Sequence, residues 1–280
     1  MASIDAWRAL RTYARPSVVI GGFTEAAWIS AHLLLYPLGT RNELTVRPHL
    51  RLDDLGPSVR SRLVDDIDNA GTPVLLVHGL VDNRSVFTVL RRALRRRGFG
   101  HVLTLNYSIF TQDVRLAARE LSAAVEKLCD RTGHDRIHII GHSLGGLIAR
   151  YYVQRLGGDE RVAHLVTLGT PHGGTAWSRL APRWLSAASI VTQLRPDSPV
   201  LRELEQAAPG FRTSILAVYS DLDQLVVPSR AARCEHPDLG AINVMVHGVG
   251  HMSLPVDPRV ARLVADQLRL PDRAQLPVRR

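Results

Sequence analysis

From Pro73 onward the chain alternates between two hydrophobic periods. Val74 to Val77 is an unbroken apolar run followed by His78 and Gly79, the signature of a strand buried on both faces of a parallel sheet. The next window, Ser85 to Arg97, places Val86, Val89, Leu90 and Leu94 on one helical face, and Gly98 supplies the stop. His101 to Leu105 reads as a strand, and Asp113 to Arg131 as a helix with Val114, Ala117, Leu121, Val125 and Leu128 at three-to-four spacing, closed by Gly133. Ile137 to Ile140 is a strand, Leu144 to Leu156 a helix and Val162 to Leu168 a strand. After a long irregular stretch, Ile215 to Tyr219 and Ile242 to Val246 are two more strands, and a last helix runs from about Pro258 to Leu268. No segment repeats. The pattern predicts an α/β domain: a mostly parallel sheet with helices on both faces. In such sheets ligand chemistry gathers at the carboxyl ends of the strands.

Outside that alternation, Val18 to Leu38 is a mostly apolar stretch of 21 residues behind Arg8, Arg11 and Arg15. It is long enough to span a bilayer as an N-terminal apolar helix. Glu25 and His32 interrupt it, however, and a carboxylate near a helix centre costs about 2.5 to 3.5 kcal/mol on insertion. Gly39, Thr40 and Arg41 offer no small-residue cleavage site. Two readings stand, a helix lying on the membrane or the protein and a single anchor. They make the chain membrane-associated or cytoplasmic, in preference to secretion with a cleaved leader. Residues 41–72, with Pro48, Pro57 and the cluster Asp65, Asp66 and Asp68, read as a linker. The expected organisation is therefore an N-terminal helix and linker over 1–72, one domain over 73–270 and a tail over 271–280. Within the domain, 176–209 carries Trp177, Trp184, Leu185, Ile190, Val191 and Leu194 among several prolines, and reads as a small helical cap. It either shields an acyl-binding groove or is a plain structural excursion.

Composition narrows the class. At 280 residues, 45% hydrophobic and 22% charged, the chain can bury a sizeable core, which excludes disorder, collagen and coiled coil. The net charge is +9, and Lys127 is its one lysine. Arg91, Arg92, Arg95, Arg96 and Arg97 form the one dense basic run, with no aromatic platform beside it. That run reads as a solvated helix face, so no nucleic-acid partner is expected; weak attraction to anionic head groups is the minority reading. Cys129 and Cys234 show neither CxxC nor zinc-type spacing, so neither a disulfide framework nor a structural metal is indicated.

The candidate chemistry begins at Gly141-His142-Ser143-Leu144-Gly145-Gly146, where a buried apolar run ends and a helical window begins. A turn that lifts a serine hydroxyl out of a sheet needs a strained backbone at the serine and no side chains two residues either side. A bare Gly-x-Ser-x-Gly arises by chance in roughly one chain in ten of this length, so its placement between strand and helix carries the weight. A serine is a poor nucleophile at neutral pH and needs a histidine base and an acid that orients it. Asp221 and Asp223 follow the strand ending at Tyr219; His247 and His251 follow the strand ending at Val246. Asp223 and His251 are preferred. His251 lies in a glycine-flanked loop free to swing over the serine, whereas His247 closes a strand whose pleat ties its direction. Two backbone N–H groups must meet the oxyanion, and Leu144 and Leu80 are the candidates, the latter reached through the turn at Gly79.

On Pro73-Val-Leu-Leu-Val-His-Gly-Leu80, Gly-His-Ser143-Leu-Gly, Leu168-Gly-Thr-Pro-His-Gly-Gly-Thr175, Tyr219-Ser-Asp-Leu-Asp223 and His247-Gly-Val-Gly-His251, the chain resembles the α/β-hydrolases of the bacterial lipase and esterase type. The resemblance covers about Pro73 to Leu268 and implies Ser143 as nucleophile, Asp223 as acid, His251 as base and Leu80 and Leu144 as oxyanion amides. The spacing from Asp223 to Pro228 is similar to that family's acid loop. His172 reads as a polar cleft wall without a proton-transfer role. The expected reaction is hydrolysis of a carboxylic ester, with an apolar or lipid acyl chain, needing no metal or organic cofactor. A thioesterase or an acyltransferase would carry the same triad, and a non-catalytic membrane-tethered binding protein is the reading from another class. Substrate-binding residues and oligomeric state are not legible.

Overall fold

The computed structural model describes residues 71–79, 84–105, 113–180 and 190–275. Six strands form one sheet: β1 (Val74–Val77), β2 (Val102–Leu105), β3 (Ile137–His142), β4 (Val162–Leu168), β5 (Ser214–Ser220) and β6 (Ile242–Val246). Their order is β2-β1-β3-β4-β5-β6 and every pairing is parallel. β1 therefore has β2 on one side and β3 on the other, and the direction of winding reverses between β1 and β3. A crevice opens above the carboxyl ends at such a reversal.

Six α-helices are described: α1 (Thr88–Arg96), α2 (Val114–Thr132), α3 (Leu144–Arg155), α4 (Ile190–Gln193), α5 (Pro199–Leu204) and α6 (Pro258–Leu268). Strand side chains alternate between two layers, as a period of two requires. Leu75, Val77, Ile139 and Leu165 pack with α2, α3 and α5, whereas Val74, Leu76, Ile140 and Val166 pack with α1 and α6. The ends of α2 follow local rules: the Asp113 carboxylate caps Arg115 N–H at 2.6 Å, and Gly133 closes the helix at φ 72°.

Most boundaries anticipated from the pattern hold to within two residues, and three details differ. The first helical window opens as a 3-10 turn over Arg84–Phe87, which rotates Val89 outward to 38% exposure and puts Phe87 in the core instead. The second half of the anticipated cap is rooted in the domain: Ile190, Val200, Leu201 and Leu204 belong to the layer formed with α2 and α3. Glu203 of α5 accepts hydrogen bonds from Arg115 at 3.1 Å and from Tyr151 at 2.6 Å, which fixes α5 to both helices. The packed chain also continues past Leu270, since Asp272 is buried and pairs with Arg136 at the head of β3 at 2.6 Å.

The basic run lies on α1 and the residue after it, with Arg92, Arg95 and Arg96 exposed, as a solvated face should be. No helix among the described residues is long and apolar enough to cross a membrane, and none of their His, Cys, Asp and Glu side chains form a group of three or more suited to a metal ion. Val18 to Leu38, residues 41–70 of the linker, and Trp184 and Leu185 of the cap lie outside the described residues.

Candidate active site

Ser143 occupies the single-residue turn between β3 and α3, with φ 54° and ψ −125°, and is the one non-glycine residue at positive φ among the described residues. Such a conformation costs about 1–3 kcal/mol and persists only where packing overrides it. The flanking glycines let α3 settle onto the sheet. A side chain at Gly141 would come within 2.5 Å of Gly146 N, one at Gly145 would overlap the carbonyl oxygens of Val77 and His78, and one at Gly146 would strike the Thr170 hydroxyl. Hydrogen bonds complete the turn: Ser143 N–H donates to Leu168 C=O at 2.8 Å, and the Thr170 hydroxyl donates to Ser143 C=O at 2.9 Å.

The acid and base candidates meet beside it. His251 Nδ1 lies 2.8 Å from Asp223 Oδ2, with both side chains within 2% of full burial. Asp223 Oδ1 accepts from Leu225 N–H at 2.9 Å and Val226 N–H at 2.8 Å, so the carboxyl group is gripped by amides as well as by the imidazole. An ionised carboxylate only accepts, which places the proton on Nδ1 and makes Nε2 the basic nitrogen of the ring. The pair fills the space that Gly169 leaves at the end of β4, where an added side chain would sit 3.1 Å from both Asp223 Oδ2 and His251 Nδ1. Leu168, which holds the Ser143 N–H, is the residue before that glycine, so the hydroxyl-bearing turn and the buried pair share one strand end.

His251 is not the swinging loop residue its glycine-rich surroundings suggest. Its ring is buried, tied to Asp223 and 4.9 Å from the ring of His142, whose Nε2 lies 3.1 Å from His251 C=O. The two residues passed over also form a pair. His247 Nδ1 lies 2.8 Å from Asp221 Oδ2, and Gly248 N–H donates to Asp221 Oδ1 at 2.8 Å, but both side chains are solvent-exposed. Partial burial raises the Asp221 pKa, and the bonds from His247 and Gly248 outweigh it, so the net direction is downward. This outer pair joins the two loops at the surface; the inner one is buried at the end of β4, next to the residue that holds the Ser143 N–H.

Leu144 is the first residue of α3, where the N–H has no acceptor within the helix and the helix dipole favours negative charge. Leu80 lies outside the described residues; His78 and Gly79 before it are buried, and the Val77 and His78 carbonyls pack against Gly145. His172 is no cleft wall. It is buried behind the site, with Nε2 2.9 Å from the Thr167 hydroxyl and its carbonyl accepting from Arg150 at 3.4 Å. Gly169 and His142 are residues to which pattern reading gave no role of their own at the site. The one signal available was the glycine and threonine directly after a buried strand.

Burial first, then the neighbouring Arg150 guanidinium, hold the His172 pKa well below 6.5, and burial also lowers that of His164. Both rings are thus disfavoured as cations only in the folded state. The resulting stability is fully present above the unfolded value near 6.5 and is lost as pH falls below it. Denaturant unfolding should show stability falling as pH drops below that point, and His172→Gln should make the fall shallower.

A family model described as alpha/beta hydrolase fold matches residues 72–189. A triacylglycerol lipase of Pseudarthrobacter phenanthrenivorans is 33% identical over 114 residues, covering 38% of this chain and 35% of that protein. A (lyso)-N-acylphosphatidylethanolamine lipase of Mus musculus is 28% identical over 151 residues, covering 50% of this chain and 44% of that one. Among solved structures, Aspergillus fumigatus lipase B superposes with a TM-score of 0.60 at 17% identity, covering 74% of this chain and 55% of that one. The chain spans about a third of the length of the first of these relatives. The chain has the alpha/beta hydrolase fold, and the relatives named here are lipases.

Proposed function

We propose that the protein hydrolyses carboxylic esters through an acyl-enzyme, with Ser143 as nucleophile, His251 as general base and acid, Asp223 as the orienting carboxylate and the Leu144 and Leu80 N–H groups as oxyanion donors. The observation that carries this reading is the buried Asp223–His251 pair beside a serine held at positive φ on a strand-to-helix turn. Ser143 Oγ adds to the ester carbonyl as His251 Nε2 takes its proton. The tetrahedral oxyanion rests on the amides at the head of α3, and collapse expels the alcohol, which receives the proton from the imidazolium. Water, deprotonated by the same nitrogen, then releases the carboxylic acid and restores the serine.

The substrate class follows from the rim. Trp177, Leu225 and Val227 are exposed side by side: Trp177 Nε1 donates to Gln224 C=O at 2.7 Å, and Ala176 N–H donates to Val227 C=O at 2.8 Å. These bonds seat an apolar ledge next to the Asp223 loop, suited to the hydrocarbon of a lipid or other acyl ester. The lipase names of the relatives point the same way. A panel of nitrophenyl esters tests this: kcat/KM should rise by about tenfold from acetate to medium-chain acyl groups, at the worth of a few buried methylenes. Activity confined to acetate would remove the lipid-ester assignment.

A further inference from the structure

His142 is fully buried, directly precedes Ser143, and ends the central strand β3. Its Nε2 lies 3.1 Å from the backbone carbonyl of His251, and its ring stands 4.9 Å from the His251 ring and edge-on to Phe87 at 6.5 Å. A carbonyl only accepts, so His142 carries its proton on Nε2 and donates it. The base therefore has two attachments of different kinds. Asp223 holds the ring, and His142 holds the main chain that carries the ring.

The second attachment is needed because of where the base sits. His251 follows Gly248, which is at φ 71°, and Gly250, in a segment whose backbone has little intrinsic stiffness. The turn hydrogen bond into the same carbonyl, from Leu254 N–H, is long at 3.4 Å. By itself, a hydrogen bond at Nδ1 does not fix the main chain that carries the imidazole. Proton transfer from serine tolerates little motion, since a misplacement of about 1 Å costs on the order of 100-fold in rate.

We infer that His142 is a positioning residue: its Nε2–H pins the His251 backbone to the strand that carries Ser143, and so sets the separation of base and nucleophile from within the sheet. The inference rests on the proposed triad and concerns its geometry. It touches no substrate atom, so its loss should appear in kcat and leave KM nearly unchanged.

Two replacements separate the donor from the volume. His142→Phe keeps a ring against Phe87 and His251 without the N–H; His142→Gln places an amide N–H near the position of Nε2. In the full chain, His142→Phe should lower kcat by about 10- to 100-fold with KM within about twofold, and His142→Gln should restore kcat to within about threefold of the parent. A readout independent of turnover is the downfield proton resonance of the His251 Nδ1–H bonded to Asp223, which should broaden or vanish in His142→Phe and persist in His142→Gln. Equal kcat values and equal resonances in the two variants would overturn the inference. Failure of the parent itself to react with a fluorophosphonate would instead remove the serine-hydrolase reading, and the resonance would still report whether His142 holds the base.

Discussion

Replacing Ser143 by alanine is expected to abolish ester turnover, by at least about 10⁴-fold, and to eliminate covalent labelling by a fluorophosphonate probe that modifies the parent protein. The size follows from removing the atom that forms the acyl bond: what survives is the contribution of the amides and of binding alone. The substitution should be silent in stability or mildly favourable. Its backbone stays at φ 54°, a cost the surrounding packing already bears, and the side chain is only half-buried. Circular dichroism and the unfolding midpoint should match the parent. A labelled Ser143→Ala protein would place the nucleophile elsewhere.

Asp223→Asn is expected to be nearly as damaging, about 10⁴-fold in kcat, although it changes a single atom type. The carboxylate accepts from His251 at Nδ1 and from two amides. An asparagine that keeps the amide bonds through its oxygen presents an NH₂ group to His251, which then turns its lone pair to Nδ1 and its proton to Nε2. That is the wrong tautomer for taking a proton from serine. Asp221→Asn supplies the control. It alters the same kind of pair two residues away, but at the solvent-exposed rim, and should cost less than about tenfold. If the two substitutions were equally harmful, the inner pair would not be the working one.

The acid and base choices illustrate what a sequence reveals and what it conceals. The strand ends were legible because apolar runs such as Val162–Leu168 are unambiguous, and the serine turn was legible because its glycines answer a steric demand visible in the spacing alone. The preference for His251 over His247 rested on an incomplete reason, although the pair it picks out is the buried one of the two. Loop freedom was invoked, whereas the ring is held from two sides by contacts made across about a hundred residues of chain in one case and 28 in the other. His142 was hidden because a histidine inside a buried run looks like any satisfied core residue until its partner is seen. His172 misled for the opposite reason: its glycine-rich neighbourhood resembles a surface loop, and only the bond to Thr167 turns the ring inward. How the second half of the cap packs was not legible, because helices as short as α4 and α5 carry too few residues for a periodic signal.

One consequence concerns heat. The proposed nucleophile follows an interior strand with neighbours on both sides, whereas the proposed base follows β6, which among the described strands pairs with β5 alone and leaves Ile242 and Met245 in solvent. Margins of a sheet fray before its middle. Warming would then abolish the proposed activity while most of the architecture still stands, and the useful working range would be set by the grip on one outermost ribbon.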